Sequence, residues 1–226
     1  MSFEETQPWG KTTYSVLEES AISFNTKRAS INLITNPFFG RMLFIDGVLQ
    51  SSTSDEEIYH KAITQHINPS GKILIAGGAE GACARELLKS SNPVLKVIMV
   101  DWDGELVQYM RQEPWHRGAF SDPRLSFTEM DIEIFLRKNE LYNSIILDLL
   151  DPYTSEDVAW LTQITLKSIL CLEKGGKLCM NAGSSVSIVN EIIEGFKKVI
   201  CVSSISYRAI NVPSFQETWY LIDICL

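Results

Sequence analysis

The sequence predicts an α/β protein in which a small N-terminal β domain with a connecting helix, residues 1–68, precedes a larger domain built on a doubly wound sheet, residues 69–226. Three observations carry that expectation. From residue 72 onward, short apolar runs rich in β-branched residues alternate with segments of helical period, the pattern of a mostly parallel sheet covered on both faces. A glycine-rich turn, GGAEG at 77–81, joins the first of these runs to the first helical segment. Between residues 12 and 52 the pattern differs: strand-length pieces are separated by turn formers, and no helical period is present.

Taken in order, TTYSVLEES, KRASINLIT and GRMLFIDGVLQSS read as short strands broken at turns such as Asn36-Pro37 and Asp46-Gly47. The Asp-Gly pair between MLFI and VLQS is a hairpin signal, because a tight primed turn needs residues that tolerate positive φ. Over 56–67 the period changes, and Tyr59, Ala62, Ile63, His66 and Ile67 share one helical face. Pro69-Ser70-Gly71 then marks a boundary. Strands follow at 72–76, 96–101, 125–129, 144–148, 177–181, 202–207 and 218–224, with helices at 81–90, 104–112, 132–138, 156–171 and 186–198. The last helix is marked by a stripe of Val189, Ile192, Ile193 and Phe196. No helix separates the two closing strands, which predicts an antiparallel hairpin at one edge. A seven-stranded, mostly parallel sheet with such an edge is, by analogy of fold, that of a class I methyltransferase-like Rossmann domain.

Bulk properties narrow the partners. With 226 residues, 45% of them hydrophobic, the chain can bury one substantial core and a small satellite. A net charge of −8 lacks the basic footprint of a nucleic-acid binder and favours cations, polyamines among them. The cysteines, Cys83, Cys171, Cys179, Cys201 and Cys225, form no CxxC pair, so reduced thiols in the cytoplasm are expected rather than a zinc site or a disulfide framework. His60, His66 and His116 are not spaced as metal ligands, and no metal is expected. The start, MSFEETQPWGK, is polar and acidic, unlike a signal peptide, and no apolar run approaches the roughly 20 residues that span a bilayer, so no membrane association is expected.

In a sheet of this type ligands bind beyond the carboxyl ends of the strands. The polar residues there are Glu80, Asp101, Asp103, Asp131, Asp148, Asp151 and Asn181, an acidic rim. Asp101 follows the glycine turn by about twenty residues, where a carboxylate binds ribose hydroxyls. Glu80 stands inside the turn formed with Gly77 and Gly78, where a pyrophosphate would meet a like charge. A cationic nucleoside without phosphates, such as an adenosyl sulfonium, suits that turn better; the plainer reading is a carboxylate that complements a helix N-terminus. Asp148 and Asp151 flank a strand exit fixed by Pro152 and could hold an amine and take its proton, or could be two ordinary loop aspartates, one capping the next helix.

Three stretches resemble the polyamine aminopropyltransferases, the spermidine and spermine synthases. GRMLFIDGVLQSSTSDEEIYHKAITQHI is similar to their G-x-x-L-x-L-D-G-x-x-Q-x-x-x-x-D-E-x-x-Y-H, ILIAGGAEGACARELLK to L-I-x-G-G-G-D-G-G-x-x-R-E-x-x-K, and IILDLLDP to I-I-x-D-S-S-D-P, in the family's order and spacing. The resemblance implies a homodimeric enzyme with decarboxylated S-adenosylmethionine as co-substrate and no permanently bound cofactor. It would move an aminopropyl group to putrescine or spermidine and release methylthioadenosine. It further implies that Gln50 and Tyr59 line the donor and amine pocket, that Glu80 meets the donor's amino group, and that Asp101 holds the ribose and Asp131 the adenine amino group. Asp148 would be the catalytic base and Asp151 an acceptor-binding group.

The chain also departs from the family. GGAEGA replaces GGGDGG, Leu149 and Leu150 replace two serines, Ile132 replaces the glycine after Asp131, and the tyrosine of T-Y-P-S-G is absent from NVPSF. VPSFQETWYL at 212–221 is closer to V-P-S-Y-x-E-x-W of the spermine-forming branch, which implies that Glu217 binds an amine of a longer acceptor; otherwise Glu217 is a solvent-facing residue of an edge strand. Two other functions stay open at this point: an S-adenosylmethionine-dependent methyltransferase, and a non-catalytic homologue that binds polyamine or nucleoside.

Overall fold

The computed structural model describes residues 1–7, 10–197 and 202–226. Two short antiparallel units open the chain. Strands β1 (Ser2–Gln7) and β2 (Gly10–Ser15) form a hairpin. Strands β3 (Ile22–Asn25), β4 (Ser30–Asn36), β5 (Gly40–Ile45) and β6 (Val48–Ser52) form a four-stranded meander. The Asp46-Gly47 turn pairs Ile45 with Val48, and its two residues have φ of 51° and 80°, as a primed turn requires.

Strand β1 lies in the stretch read from sequence only as a polar terminus. Its inward residue is a carboxylate: Glu5 is buried, accepts from the Tyr14 hydroxyl at 2.7 Å and from Leu49 N at 2.8 Å, and so fastens the hairpin to β6. A strand that buries an acid carries no apolar alternation.

Helix α1 (Glu56–Thr64) leads into the larger sheet and stops short of the 56–67 expected from its periodicity. There follow β7 (Lys72–Gly77), α2 (Ala82–Leu88), β8 (Lys96–Asp101), α3 (Gly104–Met110), β9 (Leu125–Glu129), α4 (Ile132–Leu136), β10 (Tyr142–Asp148), α5 (Ser155–Ile169), β11 (Leu172–Asn181), α6 (Val186–Lys197), β12 (Ser204–Asn211) and β13 (Thr218–Cys225). The seven-stranded sheet runs β12-β13-β11-β10-β7-β8-β9, with β13 antiparallel to both its neighbours and the rest parallel. The doubly wound, methyltransferase-like order and its antiparallel edge are therefore as the sequence predicted.

The differences are at boundaries. Strand β11 starts at Leu172 rather than 177, because its pairing with β10 skips register across the Gly175-Gly176 kink, which reads as a turn in the sequence. Strand β12 runs over 204–211 rather than 202–207. Lys198, the expected end of α6, and Cys201 lie outside the described residues.

Side chains alternate across the sheet, as the two-residue period of a strand demands. Ile73 and Ile75 of β7 join Val97, Met99 and Ile146 in a core covered by α1, α2 and α3, which continues into Ile31, Leu33 and Leu43 of the meander. Leu74 and Ala76 face the other way, with Val100, Ile145 and Leu147, under α4, α5 and α6. Among the described residues no helix is long and apolar enough to cross a membrane.

Candidate active site

The site follows from register. Asp148 at the end of β10 lies abreast of Gly77 at the end of β7, and Ala76 lies abreast of Val100, one residue before Asp101. Three strands thus release their last residues onto one rim. At Gly77 the strands come so close that a Cβ would sit 1.8 Å from the Asp148 carbonyl oxygen, and φ is 86°, so only glycine fits. The chain then turns back, with Gly81 N donating to Gly78 O at 2.9 Å, which brings Glu80 to the rim.

The strand ends and the meander enclose a cavity of about 760 Å³. Its wall includes Gly77, Gly78, Glu80, Asp101, Asp103, Asp131, Asp148 and Asp151, together with Gln50 and Tyr59. Sequence reasoning thus placed one acidic rim, and the fold brings its members together. Glu217 is the exception: it is not part of the cavity wall. One of its carboxylate oxygens is nevertheless buried without a hydrogen-bond partner, and its charge acts on Tyr153, which does line the cavity. The solvent-facing alternative does not describe this half-buried side chain.

The cavity has two chemically distinct ends. At one, Asp131 caps α4 through a 2.6 Å bond from Glu133 N, and Asp101 accepts from Asp103 N at 2.9 Å. The loop between β3 and β4 is fastened over this end. Thr26 Oγ1 donates to Asp103 Oδ2 at 2.6 Å, Lys27 N donates to Glu105 at 3.0 Å, and the Arg28 guanidinium stacks on Trp102, 5.0 Å from the ring centroid. At the other end the Tyr59 hydroxyl donates to Asp148 Oδ1 at 2.6 Å. Asn181 donates to Asp151 at 2.7 Å and accepts from Trp219 Nε1 at 2.8 Å. Leu149, Leu150, Trp160 and Phe215 give this end an apolar lining.

Burial, reinforced by the charge of Glu80, pushes Asp148 up to about 6, against the pull of His60 and the Tyr59 hydroxyl. Burial also raises Asp151 to about 6, with the Asn181 amide opposing and Asp148 adding to it. Burial raises Asp101 to about 7, offset by the Asp103 amide and reinforced by the surrounding carboxylates. The Tyr59 phenol is driven well above its ordinary value, first by burial and then by Asp148, and so remains a donor. A carboxylate poised near neutrality and held by a tyrosine hydroxyl can accept a proton, and a rim of acids can hold ammonium groups.

Sequence reasoning missed the groups behind the wall. His60 Nε2 lies 2.9 Å from Glu80 Oε1, and its Nδ1 lies 2.9 Å from Glu56 Oε2. Arg85 in turn donates to both oxygens of Glu56. The signal was present in helical spacing: Glu56 and His60 are four apart, which puts them on one face of a helix.

Comparison with known proteins points to one family. A family model described as the spermine/spermidine synthase domain matches residues 52–226. Polyamine aminopropyltransferase 1 of Hyperthermus butylicus is 47% identical over 203 residues, covering 79% of this chain and 65% of that protein. The polyamine aminopropyltransferase of Pyrobaculum aerophilum is 33% identical over 224 residues, covering 91% of this chain and 75% of that one. The matched region spans 65% of the first relative's length, under two thirds, and 75% of the second's. The fold is shared with a crystal structure of a spermidine synthase in complex with the transition-state analogue AdoDATO, at a TM-score of 0.87 and 20% identity over 100% of this chain and 80% of that one.

Proposed function

Because this chain belongs to the spermine/spermidine synthase family, we propose that it is an aminopropyltransferase that takes decarboxylated S-adenosylmethionine as donor and a polyamine as acceptor, and releases methylthioadenosine. The observation that carries the reading is Asp148, raised toward neutrality and held at 2.6 Å by Tyr59, on the wall of a cavity whose glycine turn carries Glu80.

Each role follows from charge and place. Asp101 and Asp131 hold the nucleoside at the capped end, through ribose hydroxyls and the base amino group. Gln50, on the meander side, lines the path between donor and amine. Glu80 meets the ammonium of the donor's propyl arm. A donor with a carboxylate at that position would be repelled, which favours the decarboxylated compound over S-adenosylmethionine itself. The acceptor amine, protonated in water with a pKa of about 10, must lose a proton to attack. Asp148 accepts that proton, and the freed lone pair then forms the new C–N bond as the C–S bond of the sulfonium breaks and its electron pair leaves with the thioether sulfur of methylthioadenosine. Asp151, fixed by Asn181, aligns the amine with the sulfonium carbon, and alignment of this kind can supply several kcal/mol of the barrier. The likeness of VPSFQETWYL to the spermine-forming branch supports a longer acceptor with a further ammonium, such as spermidine, over putrescine, with Glu217 acting on that end of the cavity beside Tyr153. The same family reading makes the enzyme a cytoplasmic homodimer, which sedimentation velocity and cell fractionation test.

The direct test is to incubate the protein with decarboxylated S-adenosylmethionine and a panel of putrescine, spermidine, cadaverine and thermospermine, with S-adenosylmethionine in parallel. Mass spectrometry then reads methylthioadenosine and the new amines. Amine-dependent release with the decarboxylated donor is expected. Methyl transfer from S-adenosylmethionine would replace this reading with a methyltransferase, and nucleoside binding without release from either donor would replace it with a non-catalytic binder.

A further inference from the structure

Behind the cavity wall four buried ionisable side chains are linked from α2 to the glycine turn: Arg85, Glu56, His60 and Glu80. Arg85 reaches Glu56 Oε1 and Oε2 at 2.7 and 2.8 Å and caps the Trp115 carbonyl at 2.5 Å. Glu56 Oε2 and the Glu56 carbonyl oxygen lie 2.9 and 2.8 Å from His60 Nδ1, and Glu80 Oε1 lies 2.9 Å from His60 Nε2. Both ring nitrogens therefore face atoms that offer only lone pairs. A neutral imidazole would set one of its own lone pairs against an oxygen, in a site where His60 is 2% exposed and no water can intervene cheaply.

We propose that His60 is a fixed imidazolium that aims Glu80 into the cavity, and that Glu56, backed by Arg85, is the positioning residue that keeps it so. The charges that face His60 agree in sign. Glu56 comes from its own helix, Glu80 from the glycine turn and Asp148 from the end of β10, while the nearby Tyr59 hydroxyl is spent on Asp148. Burial alone would drive the proton off, but the bonds to Glu56 and Glu80 outweigh it and raise His60 to about 10. Glu56 answers in kind: burial raises it, and His60 and Arg85 together bring it down to about 2. With Oε1 of Glu80 taken by the imidazolium, Oε2 is the oxygen left to meet an ammonium, and the direction of that oxygen is set from behind the wall. This gives the longer carboxylate at position 80 a defined orientation, which a free glutamate in a glycine turn would lack.

The inference concerns the donor arm of the proposed reaction, and its test does not need turnover. Glu56→Gln is the variant of choice, because Arg85 keeps Glu86 as a partner at 2.7 Å. The full chain, labelled with 15N-histidine and assigned with His60→Gln, should show both His60 nitrogens protonated through pH 8. In Glu56→Gln the same signals should titrate near neutrality. At pH 8, calorimetry without acceptor should give a Kd for decarboxylated S-adenosylmethionine weakened by about tenfold, the scale of one misdirected charge-assisted bond, with the Kd of methylthioadenosine, which lacks the ammonium, unchanged. Glu56→Asp should restore most of the difference. A wild-type His60 that titrates near pH 6.5, or a Glu56→Gln protein that weakens both ligands equally, overturns the proposal. A protein that binds the donor as stated but never turns it over defeats the transferase reading and leaves this one standing.

Discussion

At the scale of single residues the site is a set of carboxylates held away from their ordinary state. If Asp148 is the base, Asp148→Asn should lower kcat by at least about a thousandfold, within the span of general-base effects, and leave the Kd of methylthioadenosine within a few fold. Equal loss of both would remove the assignment. The pH profile has a definite sign. As the base Asp148 would work only when ionised, so kcat/KM should fall as pH drops through about 6, and the limb should become shallower in Asp148→Asn, where Asp151 and Asp101 still titrate. Stability runs the opposite way for these groups. Asp101, Asp148 and Asp151 have folded values of about 7, 6 and 6, above the roughly 3.9 of an unfolded aspartate. The folded chain therefore holds extra protons between about pH 4 and 7, and the stability they lend, full below pH 4, is lost as pH rises through the folded values. Asp101→Asn should accordingly raise the Tm of the ligand-free protein at pH 8 by roughly 2–4 °C, the shift that ~1 kcal/mol makes in a chain of this size, while weakening nucleoside binding. An unchanged or lower Tm would deny that Asp101 is strained by its ionisation. Glu217→Gln should raise the acceptor KM well beyond the donor KM, and an unchanged acceptor KM would return Glu217 to a purely local role.

At the scale of elements, α1 does more than its length suggests. Its Tyr59 faces Asp148, its Glu56 and His60 stand behind Glu80, and its apolar face packs on the core under the sheet. Tyr59→Phe should keep the fold and lower kcat about ten- to a hundredfold, as expected for one donor to an active carboxylate; a drop confined to the acceptor KM would make Tyr59 a binding group only. The pairing of β7 with β10 is tighter still. Gly77→Ala forces a methyl group against the Asp148 carbonyl and should fail to fold or lose more than about 3 kcal/mol in denaturant unfolding. Such elements were legible in the sequence to different degrees. The strands of the large sheet announced themselves because their apolar runs are bounded by Asp or Gly, and the same rule pointed at Glu80, Asp101, Asp131 and Asp148. Strand β1 did not, because it buries Glu5 instead of an apolar row. The extension of β11 through Gly175-Gly176 did not, because a kinked strand and a turn have the same composition. His60 and Arg85 were passed over for a different reason: the four-residue spacing of Glu56 and His60 was legible, but the links from His60 to Glu80 and from Glu56 to Arg85 are made only by folding.

At the scale of the whole molecule, a chain with a net charge of −8 surrounds a cavity lined by carboxylates, which the proposed function fills with cations. Attraction over that distance is screened by salt, so kcat/KM for a polyamine should fall several fold between about 0.02 and 0.3 M ionic strength, with kcat little changed. A flat response would mean that capture depends on the wall alone. The raised carboxylates also make the empty cavity a small store of hydrogen ions. Near pH 6.5 part of that store is occupied, and each incoming ammonium must displace some of it into the medium. The apparent heat of polyamine binding should then depend on the ionisation enthalpy of the buffer chosen, and its slope against that enthalpy counts the hydrogen ions that the guest exchanges for its own charge.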